Sequence, residues 1–415
     1  MSDSSSQAAP APSARAVWLA VIVAALGYLV DIYDLILFAV VRVPSLHDIG
    51  VTDAAAVKTV GGQLISWQMW GMLVGGILWG ILGDRRGRLS VLFGSIVMYS
   101  LANIANGFVQ TVPQYAALRF VAGVGLAGEL GAGITLVSEI IDKNKRGWAT
   151  AFIAGVGICG AVLASLIGDL LPWRVAYFVG GGLGLGLLVL RIGVVESGMF
   201  SKVKAQTTVS RGNFFALFST RRRALRYLCV VLCGIPIWYA IGILVLFSKE
   251  IGAAMGLVGE IKPGWAVLWS YSGLAIGDFS AGALSQLMRS RKRALWVFVV
   301  MACVTVTLYF VLGRISVQML YVACGLVGIA HGYWAVFVTV ASEQFGTNLR
   351  ATATTTAPNF VRGSVPLLVA GFGFFTPTFG VAGAAAVVGA IVLAVALAAI
   401  FGLEETFGKD LDYVE

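Results

Sequence analysis

Twelve runs of mostly apolar residues divide this chain, and each is about the 20 residues that a helix needs to cross a bilayer. They fall at roughly 16–41, 60–82, 89–109, 113–141, 148–170, 175–195, 227–247, 263–288, 295–313, 317–342, 353–376 and 381–403. The runs are long and continuous, which excludes a β-barrel with its short alternating segments. Composition agrees: 59% of the 415 residues are hydrophobic and 12% charged, against about 45–50% and about 25% in soluble domains. A soluble chain this apolar could not cover its own surface with polar groups. The sequence therefore predicts an all-α polytopic membrane protein with twelve transmembrane helices.

The net charge of +9 follows from topology and not from nucleic-acid binding. With the N-terminus inside, one set of loops holds twenty basic residues, including Arg85, Arg86, Arg88, Arg146, Arg221–Arg223 and Arg289–Arg293. The opposite set holds six: Arg42, Lys58, Arg174, Lys249, Lys262 and Arg314. Both termini are expected to be cytoplasmic, in a multi-pass protein of a bacterial-type inner membrane. All five cysteines lie in apolar stretches without metal or disulfide spacing. The first apolar run continues into a span, so no cleavable signal peptide is expected.

Residues 1–15 read as a loose cytoplasmic tail, 16–196 as one six-helix bundle, 197–226 as a cytoplasmic linker with an amphipathic piece near Asn213–Phe218, 227–404 as a second bundle and 405–415 as a tail. The halves look alike. Ser138-Glu139, six residues, then Arg146-Gly147 recurs as Ser342-Glu343, six residues, then Arg350-Ala351. Gly80-Ile81-Leu82-Gly83-Asp84 aligns with Gly282-Ala283-Leu284-Ser285-Gln286, and Glu196-Ser197 with Glu405-Thr406. Two pseudo-symmetric bundles follow, with a site near mid-membrane between them.

Gly80 to Leu92 resembles the signature loop G-x-L-x-D-R-x-G-R-x-x-x-L of the major facilitator superfamily at every defining position. Arg119-Phe120-Val121-Ala122-Gly123-Val124-Gly125, Trp173-Arg174 and Glu196-Ser197 resemble further family elements. Asp31-Ile32-Tyr33-Asp34 is similar to the first-span motif of the sugar-porter, aromatic-acid:proton and metabolite:proton symporter branches. Ala161 stands where drug antiporters usually carry a proline.

Gly87 permits a tight turn. Asp84 should reach free N–H groups at a helix N-terminus, and the resemblance makes the eleventh span its partner. Arg88, Glu139, Arg146 and Glu196 are expected to form an ion-pair gate at adjacent helix ends, with Glu343, Arg350, Glu405 and the Arg289–Arg293 cluster as the counterpart in the second half. Gln286 and Arg289 replace the acid and the glycine there, which predicts a weaker second latch.

Seven ionisable residues stand well inside spans: Asp31, Asp34, Arg119, Glu129, Asp278, His331 and Arg362. Each is costly there, by ~2.5–3.5 kcal/mol on insertion scales, and so is a functional candidate. Asp31 and Asp34 share a helix face, and two carboxylates in a low dielectric resist joint ionisation. The resemblance implies a pair between Asp34, or Asp31, and Arg119. Glu129 is a second proton site or a packing partner. Arg362 is expected to meet a substrate anion, or else to pair with Asp278. Asn359, His331, Trp334, Trp238 and Asp278 complete the candidate substrate site. The expected function is secondary transport of a small organic anion with protons, by alternating access. The rivals are a carrier of a zwitterion, sugar, cation or divalent metal, and a proton-driven exporter. No H-E-x-x-H, G-x-S-x-G or phosphate loop suggests an enzyme. Beyond substrate, protons and lipid, no cofactor, metal or nucleic acid is expected, and the chain reads as a monomer.

Overall fold

The computed structural model describes residues 14–142, 145–193 and 213–414. The first half contains α1 (Ala14–Asp48), α2 (Ala54–Arg86), α3 (Arg88–Asn106), α4 (Val112–Leu126), α5 (Glu129–Ile140), α6 (Arg146–Leu170) and α7 (Trp173–Leu190). The second contains α8 (Arg221–Tyr239), α9 (Ser248–Ala254), α10 (Pro263–Leu287), α11 (Arg291–Leu312), α12 (Val317–His331), α13 (Trp334–Glu343), α14 (Arg350–Gly363) and α15 (Val365–Phe401). A π-helical turn, Ala240–Val245, extends α8.

Among the described residues, ten helical stretches are long and apolar enough to cross a membrane. The last, Arg350–Phe401, has 52 residues. At ~1.5 Å per residue it is far longer than one crossing needs, and it turns at Gly380, where φ is 69°. With α10, of 25 residues, this makes twelve crossings in two six-helix bundles, as the sequence predicts.

Three spans are broken among the described residues, which the apolar pattern does not announce. The fourth divides between α4 and α5 at Ala127-Gly128, the tenth between α12 and α13 at Gly332-Tyr333, and the eleventh between α14 and α15 at Ser364. Irregular backbone at membrane depth persists only where other groups take its hydrogen bonds. Trp79 Nε1 donates to Val124 O at 2.6 Å, and Asp278 Oδ1 accepts from Ala335 N at 2.9 Å. Elsewhere side chains cap the helices: Asp53, Thr111, Thr220, Ser290 and Ser316 each accept from a backbone N–H of the first turn.

Small residues set the helix spacing. A methyl group at Gly71 would lie 2.1 Å from Phe120 O, and one at Gly123 would lie 2.2 Å from Gln68 O. The second bundle repeats this between α10 and α12, at Gly273 against Gly325 O and Gly328 against Ser270 O. Such close approach replaces the hydrophobic drive that helices lack in lipid. Large apolar side chains such as Trp18, Trp70, Leu101, Leu170 and Phe374 cover the outside. Six arginines (Arg88, Arg119, Arg191, Arg291, Arg350 and Arg362) are at most 1% exposed. The polar chemistry is therefore internal.

Both described chain ends lie at one end of the bundles, here the terminal side. In the linker, only residues from Asn213 onward are described. Phe214–Phe218 is a 3-10 turn whose Leu217 is buried and whose Phe214 stacks on Phe360.

Candidate substrate and gating site

In the last turn of α14, Arg362 meets Asp31 of α1, with Nη2 3.5 Å from Oδ2 and both side chains buried. Two indoles flank the guanidinium: its carbon lies 5.4 Å from the Trp334 ring centroid and 6.0 Å from that of Trp238. Tyr28 and Tyr271 stand within Coulombic reach. The candidates Arg362, Trp334, Trp238 and Asp31 are thus brought together at the boundary between the halves. Asp278 adjoins them on α10, but its Oδ1 caps α13, so it does not form the Arg362 pair weighed from the sequence. His331 Nδ1 lies 2.8 Å from Val327 O. Asn359, one turn before Arg362, donates to Thr355 O and, across the halves, to Ala127 O at 2.9 Å. It holds the broken fourth span.

Several atoms here are buried without a hydrogen bond among the described residues: both oxygens of Asp31, Asp278 Oδ2, His331 Nε2, Trp334 Nε1, Asn359 Oδ1 and Arg362 Nε. Unpaired buried polar groups are costly. A ligand carrying acceptors and an apolar ring would complete the arginine and the indoles.

The expected partner of Arg119 is corrected. Arg119 bonds Gln68 Oε1 and, at 3.4 Å, Tyr177 OH, with its guanidinium 4.5 Å from the Phe38 ring centroid. Asp34 is an electrostatic neighbour of Arg119 and not a contact ion pair. Three residues on a helix differ by about 60° in direction. That turn suffices to aim Asp31 at the other half while Asp34 stays within the first. Glu129, at the start of α5, pairs with Arg191, which also bonds Leu92 O. Arg191 is not among the candidates that the sequence singles out. Its partner is distant in sequence, so no spacing reveals the pair.

On the terminal side the gate residues converge. Asp84 accepts from Ala351 N at 3.0 Å and Thr352 N at 2.8 Å, the first turn of α14. This is the helix N-terminus expected to receive it. Gly80 lets α2 approach, since a methyl there would lie 2.9 Å from Thr352 Cα. Gly87 turns the chain at φ 107°. The replacement at Arg289 adopts φ 49°, a left-handed conformation that non-glycine residues tolerate far better than 107°. Glu139 Oε1 takes Arg88 at 2.7 Å and Arg350 at 2.9 Å, and Arg88 also donates to Thr347 O.

Arg350 therefore joins Glu139 of the first half, where the sequence reading set it beside Glu343. Glu343 instead pairs with Arg291 through two 3.3 Å bonds. Glu405 accepts from Ser290 Oγ and from Arg291 N and Lys292 N. The second-half network is thus dense but internal to that half. Thr339 donates to Thr150 at 3.0 Å across the halves. Every interhalf bond named here lies between mid-depth and the terminal side, so that side is closed. Glu196 and the side chain of Arg146 lie outside the described residues.

The tail beyond α15 was expected only as a tail. Leu411 O accepts from Arg350 and Thr347, Thr347 N donates to Tyr413 O, and Thr406 donates to Glu343. Nothing in a polar eleven-residue stretch marks this docking.

The sequence profile of the Major Facilitator Superfamily matches residues 17–365. The chain is 27% identical to the "Probable 4-methylmuconolactone transporter" of Cupriavidus pinatubonensis, over 94% of this chain and 90% of that protein. It is 28% identical to the 3-(3-hydroxy-phenyl)propionate transporter of Escherichia coli, over 57% and 65%. Among solved structures, the proton:xylose symporter XylE bound to 6-bromo-6-deoxy-D-glucose superposes with a TM-score of 0.75 at 17% identity, over 97% and 98% of the two chains. That likeness is one of fold.

Proposed function

The chain belongs to the Major Facilitator Superfamily, whose members are transporters and not enzymes, and from that premise we propose that it carries a small organic anion together with protons. The observation that carries this reading is the buried pair between Asp31 and Arg362 across the two halves. A carboxylate substrate needs Arg362, which Asp31 holds. A proton on Asp31 releases the guanidinium, so proton and anion together replace the ion pair with no net charge left buried. Either one alone leaves an uncompensated charge, which is costly in a low dielectric. Obligatory coupling follows from that penalty.

Trp238 and Trp334 favour an anion that also carries an aromatic or flat apolar body. The relative named for 3-(3-hydroxy-phenyl)propionate, a phenyl-bearing carboxylate, supports the same class. In the cycle, substrate and proton enter from the far side while the Glu139–Arg88–Arg350 and Asp84 contacts hold the terminal side shut. The gate then opens as the bundles rock. The basic bias of the loops makes the terminal side cytoplasmic, in an inner membrane, and nothing in the mechanism requires more than one copy.

Purified protein in liposomes tests this with 3-(3-hydroxyphenyl)propionate, benzoate and xylose as labelled probes. Uptake of an aryl carboxylate is expected to rise several-fold when the outside is made acidic. Xylose uptake in place of the acids, or acid uptake indifferent to the pH gradient, would overturn the reading.

A further inference from the structure

A second concentration of unpaired buried polar atoms lies inside the first bundle. Both carboxylate oxygens of Asp34, both amide atoms of Asn103 and of Asn106, Ser100 Oγ, Tyr99 OH and Arg119 Nε are enclosed and bonded to nothing among the described residues. They come from α1, α3 and α4. Asn103 lies beside Asp34 without reaching hydrogen-bond geometry.

These groups form one cluster. Tyr33, Tyr99, Tyr115 and Tyr177 all stand within Coulombic reach of Asp34, as do Asp31 and Arg119. Towards the far side bonded hydroxyls continue it: Arg119 Nη1 to Tyr177 OH at 3.4 Å, Tyr177 OH to Tyr115 OH at 2.8 Å, and Tyr115 OH to Ser45 Oγ at 3.4 Å. Towards the terminal side Tyr99 is within reach of Glu129 and Arg191, and Ser95 Oγ donates to Glu129 at 3.5 Å. A polar strip thus runs through an otherwise apolar bundle.

Leaving that many buried polar atoms unsatisfied would cost as much as the whole stability of a domain, so a small polar partner must satisfy them. The unmatched atoms decide which. Asn103 Nδ2, Asn106 Nδ2 and Arg119 Nε are donors, standing beside acceptors. A metal cation would satisfy only the acceptors and would sit against the charge of Arg119. Water satisfies both kinds. We infer that a file of bound water occupies this strip and forms a proton route, from the far side past Asn106 and Asn103 to Asp34 and on through Tyr99 to Glu129. It is separate from the path of the substrate past Arg362. The proton function rests on the coupling proposed above at Asp31, which stands within electrostatic reach of Asp34, whereas the hydration does not.

Two measurements on the full chain in lipid nanodiscs test this. In the first, X-ray radiolysis is run in 18O-labelled water. Tyr99, Tyr115 and Tyr177 are expected to take up label at least five-fold faster than Tyr239 and Tyr309, which are equally buried but donate to a carbonyl. Asn103→Leu/Asn106→Leu should remove most of that excess, and Asn103→Ser should keep it. Equal rates in the parent protein would overturn the water file. In the second, the infrared carbonyl band of protonated Asp34, identified by its loss in Asp34→Asn, is followed after transfer to D2O. Its shift should slow at least ten-fold in the double variant. An unchanged rate overturns the route while leaving Asp34 a proton site. If Asp34→Asn removes no band at any pH, Asp34 takes no proton and the route fails, while the coupling at Asp31 still stands or falls by the uptake test above.

Discussion

Glu139 of the fourth span and Arg350 of the eleventh meet at 2.9 Å with neither side chain exposed. The same oxygen takes Arg88 at 2.7 Å. One carboxylate therefore ties an arginine of its own half to an arginine of the other, away from water. Separating the halves there exposes all three charges together, so the gate is either shut or open, with little between.

Glu139→Gln should loosen this gate more than any other single change at the terminal side. Removing one partner of a buried ion pair costs about 3–5 kcal/mol, and here that cost falls on the closed form. A cysteine introduced at Thr354, which is fully buried, should then react with maleimide from the terminal side at least ten-fold faster. Unchanged labelling would mean that Glu139 only fixes packing.

Asp84→Asn should act in the same direction but less. The amide oxygen can still accept from the start of α14, while the carboxylate's second bond and its charge are lost. Hydrogen bonds to charged groups contribute about 1.5–3 kcal/mol, and part of that remains. The same Thr354→Cys reporter should show an intermediate rate. A rate at or above that of Glu139→Gln would contradict this ranking.

Asp31→Asn and Arg362→Lys should separate coupling from binding. With Asp31→Asn, Arg362 is free at every pH, so binding of an aryl carboxylate should persist and lose its pH dependence. Gradient-driven uptake should then fall to the level of exchange. Arg362→Lys keeps the charge but not the planar fork or its stacking between indoles, and should weaken carboxylate binding at least ten-fold. Calorimetry at two pH values reads both. Binding that stays pH-dependent in Asp31→Asn would move the coupling elsewhere.

Deleting residues 404–415 should also favour opening of the terminal side, because Arg350 loses the Leu411 carbonyl that it holds at 2.6 Å. The docked tail should be stable at neutral pH. Burial pushes the Glu405 carboxyl up, but bonds from Ser290 and from the N–H groups of Phe407, Arg291 and Thr406 outweigh it and hold the group below the usual glutamate range. A depressed carboxylate stabilises above its ordinary range and ceases to do so as pH falls through its lowered value. Amide protection of Thr406 and Phe407, corrected for intrinsic exchange, should therefore survive to the ordinary carboxylate range and vanish only below it. Loss of protection near neutrality would show that the carboxylate does not anchor the tail.

The apolar runs by themselves determined that this chain crosses a membrane twelve times, because runs so long and continuous satisfy their backbone groups in lipid only as helices, and the recurring motifs marked two like halves. The loop around Asp84 and Gly87 was legible too. The glycine's part is local, a turn at φ 107°, whereas the partner of Asp84 lies far along the chain at the start of α14 and came from the family resemblance. The intramembrane charges identified themselves by their cost, but not their partners. Only the tertiary structure decided that Asp31 turns to Arg362 while Asp34 stays among α3 and α4, that Glu129 goes to Arg191, and that Arg350 crosses to Glu139. Each pairing depends on the rotation of a helix about its own axis and on which neighbour stands opposite. Packing of glycines and side chains from distant segments sets both, and a twenty-residue apolar run carries no record of either.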